Sequence, residues 1–474
     1  MNIHRFGFWL GTLLFILMLI ISPPNGLDLG AWRVAALTVL IGSWWFTEAV
    51  PVTLTGSLPF LLLPLLGVAK PEAVASQYMS PILFLVLGGS LIGLAFEKWN
   101  LHRRIALYVV TRASPEPRKM LLALMAVTAF LSMFVNNSAT TVMMLPIAAA
   151  TLSAVTRTLN STTPDLNEKN FAAAMLLSVA YASNIGGFGT PIGTPVNPIA
   201  IAIIERNVGV HISFVQWLSF GLPFVFLGIP LCWWLISRVT LPFNLPIADK
   251  EQIRAAIGTV GVLSTPEKRV LSVVFLASLA WIFQPIAERL LPGISDSGIA
   301  IGAALLLCIL PSGDHKLGAS PVLLEWNEAR NAPWYLILLL GGGLALADSV
   351  VKSGLSAWLA GSLGAVSGLP LFPLILLIAL MCSLVTEFAS NVATATIFTP
   401  IAVSLALGGG YDPVGPALAA GLAASLGFAN PAATSSNALV FATGKVRMAD
   451  MLKTGLLFDL LGAFLLASVC FFFI

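Results

Sequence analysis

The feature that most constrains this chain is the recurrence of predominantly apolar runs of about 20 residues, the length at which a helix crosses the hydrocarbon core of a bilayer. Such runs lie near residues 6–22, 31–50, 52–69, 80–97, 171–204, 214–237, 270–288, 294–311, 333–351, 416–440 and 454–474. Only 9% of the 474 residues are charged and 58% are hydrophobic, whereas a soluble domain carries roughly 25% charged residues. A chain of mean hydropathy +0.93 cannot cover itself with a hydrated surface, so its solvent is lipid. The expected fold class is an all-α polytopic membrane protein. The first run follows Arg5 as a signal peptide would, but it ends in Ser22-Pro23-Pro24-Asn25 without a small-x-small cleavage site. It is expected to be an uncleaved first span.

Two further apolar stretches, about 120–153 and 366–407, are each long enough for a pair of short helices and carry an Asn-containing motif at their middle. Both are expected to be re-entrant hairpins, which leaves eleven spans. Lys and Arg concentrate in cytoplasmic loops. With the N-terminus inside, nineteen of the 24 basic residues fall on that side, Lys316 among them, and only Arg33, Lys70, Arg206, Arg289 and Lys352 fall outside. The C-terminus is then external.

Three blocks recur in the same order. Leu87-Gly88-Gly89-Ser90-Leu91 matches Leu340-Gly341-Gly342-Gly343-Leu344, and Asn136-Asn137-Ser138-Ala139-Thr140 matches Ser390-Asn391-Val392-Ala393-Thr394. Gly193-Thr194-Pro195-Val196-Asn197 matches Ala433-Thr434-Ser435-Ser436-Asn437. The offsets are 253, 254 and 240 residues. With one hairpin entering from each side the halves are inverted repeats, an organisation of secondary transporters that bind substrate near mid-membrane. The Gly-Gly pairs alone read equally as helix-packing contacts.

Polar groups at membrane depth are costly, which points to function in the Asn motifs. Asn136-Asn137-Ser138-Ala139-Thr140-Thr141 offers amide oxygens, hydroxyls and freed carbonyls, hard neutral donors suited to sodium. The Gly- and Pro-interrupted segments 185–195 and 430–437 are poor helices where an apolar run should be continuous, and each is expected to open an unwound turn facing a hairpin tip. These segments contain no Lys or Arg, so an anion there would be held by hydroxyls, amides, helix N-termini and co-bound cations. Glu48 and Glu387 each follow a Thr; they read either as proton carriers or as helix-end or domain-interface carboxylates. A net charge of +3 without a basic stripe gives no case for nucleic acid. The four cysteines are far apart and the four histidines scattered, which provides neither a zinc nor a haem ligand set. With no carboxylate–histidine cluster and no nucleophile beside a base, no enzymatic activity is expected.

From Trp44-Trp45-Phe46-Thr47-Glu48-Ala49-Val50-Pro51, through both Asn motifs, to Thr434-Ser435-Ser436-Asn437, the chain resembles the divalent anion:sodium symporter family of bacterial dicarboxylate, citrate and sulfate carriers. The resemblance implies a homodimer in the bacterial inner membrane, working as an elevator. Its scaffold would be formed by residues 1–79 and 211–332 and its transport part by 80–210 and 333–445, with 446–474 as a C-terminal span. It implies one sodium site on Ser132, Asn136, Asn137 and Gly193, and another on Thr386, Ala389, Asn391 and Ala433. Substrate carboxylates would meet Asn137, Ser138, Thr194, Asn391, Thr434 and Ser435, beside Pro195 and Val392. Three residues depart from the family pattern: Asn136 stands for Ser, Val392 for Thr, and Ser435-Ser436 for Pro-Pro. The activity implied is sodium-coupled uptake of C4 dicarboxylates such as succinate, malate or fumarate. A sodium-independent di- or tricarboxylate exchanger and a carrier of sulfate or another divalent anion are the alternatives.

Overall fold

The computed structural model describes residues 3–157, 165–247, 250–258, 261–314 and 320–472; Lys316 and the last two residues of the final expected span lie outside them. The described residues are helical, with no strand beyond an isolated bridge between Pro311 and Val322. Among the described residues, eight helices are long and apolar enough to cross a membrane: Leu29–Thr47, Pro71–Lys98, Asn137–Thr156, Phe214–Thr240, Thr265–Ala287, Tyr335–Lys352, Asn391–Gly408 and Met448–Phe472. Shorter apolar helices include His4–Ile20, Asp296–Ile309, Leu371–Thr386 and Val414–Ala423. Large apolar side chains such as Trp9, Phe226, Phe275 and Leu290 stand exposed, as a surface facing lipid requires.

The run near 52–69 does not form one continuous rod. It breaks at Gly56-Ser57 into Val52–Thr55 and Leu58–Leu65. Gly56 lies against the backbone of a later helix, where an added Cβ would sit 2.6 Å from the Leu338 carbonyl oxygen. The Gly56 carbonyl accepts the Tyr78 hydroxyl at 2.7 Å, replacing a helical bond that the break removes.

Both Asn-containing stretches fold into helical hairpins. The first pairs Pro117–Ser132 with Asn137–Arg157, and the second pairs Leu371–Thr386 with Asn391–Gly408. Each turn is four residues, 133–136 and 387–390. Pro117 opens its arm at a position where a missing N–H costs nothing. Both Gly/Pro-rich segments are interrupted helices. Leu166–Gly187 stops and resumes as Val196–Val208; Val414–Ala423 stops and resumes as Ser435–Phe441.

Buried apolar residues form two clusters. The larger joins the first hairpin, Leu166–Gly187, most of the second hairpin and the C-terminal helix. The smaller joins Leu29–Thr47, Val196–Val208, Tyr335–Lys352 and the Val392 end of the second hairpin. The interrupted segments lie where these clusters meet.

Candidate functional site

The two hairpin tips and the two interrupted helices converge on a cavity of about 690 Å³. Asn136, Asn137, Ser138, Gly193, Thr194 and Pro195 line it from the first half. Ala389, Asn391, Val392, Ala433, Thr434 and Ser435 line it from the second. Of the residues expected at a site, only Ser132 and Thr386 lie outside this lining. Both are fully buried and support an asparagine from behind. Ser132 Oγ donates to Asn137 Oδ1 at 2.8 Å, and Thr386 Oγ1 lies 2.8 Å from Asn391 Oδ1.

Thr386 Oγ1 also lies 2.7 Å from the Ala424 carbonyl oxygen. A hydroxyl has one proton, so it cannot satisfy both acceptors, and one short oxygen–oxygen contact is left without a hydrogen. A cluster of neutral oxygens short of protons suits a hard cation with oxygen preference. No Lys or Arg is among the residues lining the cavity.

The interruptions are held open by matched asparagines. Asn197 Nδ2 donates to the carbonyls of Gly187 and Thr190, both at 2.8 Å. Asn437 Nδ2 donates to those of Gly427 and Asn430, at 3.0 and 3.1 Å. Every partner is displaced by the same 240 residues as the sequence block, just as the Ser132–Asn137 and Thr386–Asn391 pairs are displaced by 254. The two halves therefore build the same local structure twice. Close backbone approach adds to it: a Cβ on Gly193 would sit 2.5 Å from the Gly187 carbonyl oxygen.

The halves also touch across the cavity floor. Ser138 and Ser435 hydroxyls contact each other. Asn184, buried in the first interrupted helix, accepts from Asn137 Nδ2 at 3.4 Å and donates to Thr434 Oγ1 at 3.1 Å. Thr434 Oγ1 also caps its own helix by accepting from the Asn437 N–H at 3.1 Å. With two donors arriving, its single hydrogen remains free for an incoming oxygen. Asn184 escaped the sequence reading; its signal was an amide inside a long apolar run.

Three residues acquire definite settings. Asn136 Oδ1 accepts from the Ala139 N–H at 2.8 Å, capping the second arm of its hairpin, so the amide oxygen substituted for a hydroxyl is already engaged. Glu387 is buried, and its two carboxylate oxygens accept from the N–H groups of Ala429 and Asn430, each at 2.8 Å. Glu387 thus holds the unwound segment while it also lines the cavity. Glu48 lines the cavity mouth in the left-handed region at φ 48°, where a non-glycine residue is strained.

A multi-pass membrane protein whose paired hairpins and interrupted helices enclose one polar cavity has the architecture of a secondary transporter. The family model described as the sodium:sulfate symporter transmembrane region matches residues 6–473. The chain belongs to that family. It is 34% identical over 473 residues to the sodium-dependent dicarboxylate transporter SdcS of Staphylococcus saprophyticus, covering 99% of this chain and 91% of that one. It is likewise 34% identical over 471 residues to the protein of the same name from Staphylococcus aureus strain USA300, covering 98% and 90%. Among solved structures, the YdaH transporter of Alcanivorax borkumensis superposes with a TM-score of 0.57 at 14% identity, over 99% of this chain and 98% of that one; at that identity the likeness concerns the fold alone.

Proposed function

We propose that this protein couples sodium entry to the uptake of C4 dicarboxylates such as succinate, malate or fumarate across the bacterial inner membrane. The observation that carries it is a cavity lined by amides, hydroxyls and backbone from both halves, with no Lys or Arg in the lining, beside the proton-poor oxygen cluster at Thr386. A dianion entering such a site needs positive charge from elsewhere, and co-bound sodium supplies it. One ion is assigned to Ser132, Asn136, Asn137 and Gly193, the other to Thr386, Ala389, Asn391 and Ala433. Substrate carboxylates are assigned to Asn137, Ser138, Thr194, Asn391, Thr434 and Ser435, beside Pro195 and Val392. The N-termini of the helices starting at Asn137, Val196 and Asn391 add N–H groups that favour anions. The names of the staphylococcal relatives support both the ion and the substrate class.

In this reading the chain has eleven spans and two re-entrant hairpins arranged as inverted repeats, with the N-terminus cytoplasmic and the C-terminus outside. The hairpins and interrupted helices move as a transport unit against a scaffold, in a homodimer. The matched hydrogen bonds at offsets of 254 and 240 residues support the repeat.

The test is uptake of radiolabelled succinate into proteoliposomes, with an inward sodium gradient compared against potassium. Sodium-dependent uptake into empty vesicles is the expected result. Uptake that ignores sodium but needs a dicarboxylate-loaded lumen would establish exchange instead. Competition by sulfate separates the remaining alternative.

A further inference from the structure

The two interrupted helices are alike in their asparagine pins but not in how their freed backbone is satisfied. In the first half the helix runs to Gly187, and the next amides close local turns: Phe188 N–H to the Ile185 carbonyl and Gly189 N–H to that of Gly186. The position matching Gly187 is Gly427, yet the second helix ends four residues earlier, at Ala423. The amides of Phe428 and Ala429 consequently lack the local carbonyls that Phe188 and Gly189 use. An amide left unpaired at membrane depth is heavily penalised.

Two carboxylates from different elements replace those carbonyls. Glu387, at the tip of the second hairpin, takes the N–H groups of Ala429 and Asn430 at 2.8 Å each, while its own carbonyl accepts Asn430 Nδ2 at 3.1 Å. Asp459, on the C-terminal helix, takes the Phe428 N–H through Oδ1 at 3.2 Å. The approach of that helix depends on Gly455, one turn earlier, where a Cβ would sit 2.3 Å from Ala429 Cα. From the other side the Tyr181 hydroxyl donates to the Phe428 carbonyl at 2.8 Å. The first half has no equivalent of this clamp, since Met133 occupies the position that matches Glu387.

We propose that Glu387 and Asp459 are positioning residues for the second cation site, fixing the unwound segment 424–434 against the hairpin tip so that its carbonyls meet the Thr386 and Asn391 oxygens. Glu387 directly follows Thr386, and Ala424, whose carbonyl faces the Thr386 hydroxyl, opens the segment that the carboxylates hold. The claim rests on the sodium-coupled reading given above. Outer-shell partners of this kind commonly alter metal affinity by roughly 10–100-fold. E387Q exchanges one acceptor oxygen for an NH2 group that cannot receive an amide. D459L removes the acceptor altogether, and D459N keeps an oxygen for Phe428.

The experiment measures succinate uptake against sodium concentration in proteoliposomes, together with thermal unfolding of each purified variant in detergent. The expected result for E387Q and D459L is a rise of about tenfold or more in half-saturating sodium, with D459N restoring the wild-type dependence. If E387Q and D459L lower only the maximal rate or the melting temperature and leave half-saturating sodium unchanged, the two carboxylates are merely structural and the proposal is overturned. A wild type indifferent to sodium would sink the symport reading and this claim together, which separates the two failures.

Discussion

Replacing Asn437 by alanine should loosen the second unwound segment while leaving the first intact. Asn437 has no exposed surface, and its Nδ2 serves the Gly427 and Asn430 carbonyls. Water cannot take over at a fully buried position. The Asn430 carbonyl keeps the Ala433 N–H at 3.1 Å, so it is the Gly427 carbonyl that is left unpaired, at a cost of about 1–3 kcal/mol. The weaker bond from Asn184 Nδ2 to Asn437 Oδ1, 3.4 Å long, is lost as well. At the lower bound, opening of the segment becomes ~5-fold more frequent. Hydrogen–deuterium exchange read by mass spectrometry on peptides spanning 424–434 should therefore accelerate by that factor or more, with 188–195 unchanged. N197A should show the converse pattern. Unaltered exchange at 424–434 in folded N437A would refute the idea that the asparagines hold the interruptions open.

Other variants probe the same cavity. Thr386→Val removes the hydroxyl between Asn391 and Ala424 and should weaken sodium activation far more than succinate affinity at saturating sodium, as transport kinetics would show. Gly193→Ala forces a methyl to within 2.5 Å of the Gly187 carbonyl oxygen; overpacking of this kind costs about 1–3 kcal/mol and should lower the melting temperature in detergent. Asn184→Leu severs the link between Asn137 and Thr434, and should raise the KM for succinate while membrane insertion, followed by immunoblot, stays normal.

Much of this arrangement was legible in the sequence because lipid makes local signals unusually informative. An Asn-Asn-Ser motif inside an apolar stretch marks a hairpin tip, since polar groups there need a reason to be present. Gly189, Pro191, Gly193 and Pro195 mark the first interruption because they cannot sustain a helix, and Leu166–Gly187 gives way to Val196–Val208 where they lie; Pro431 lies in the second. What escaped depends on distant neighbours. Gly56 breaks the run at 52–69 because another helix crosses it at Leu338, and nothing near residue 56 announces that crossing. Asp459 sits among apolar residues of a continuous helix, and its task is set by Phe428, thirty-one positions away. The resemblance makes Asn136 a ligand, and its oxygen also accepts the Ala139 N–H as a helix cap. The early end of the second interrupted helix is likewise invisible in a run of alanines and leucines.

The paired asparagine pins bear on how the site discriminates among ions. Loops that fold around a ligand can shrink or swell to suit ions of different radius. Backbone tied at both ends of each interruption cannot do so without breaking bonds that water is unable to replace. A cage of that kind selects by size, because selectivity among hard cations follows from cavity dimension, ligand number and rigidity. On the proposed assignment of the second ion to Thr386, Ala389, Asn391 and Ala433, that preference is built into the fold before an ion arrives.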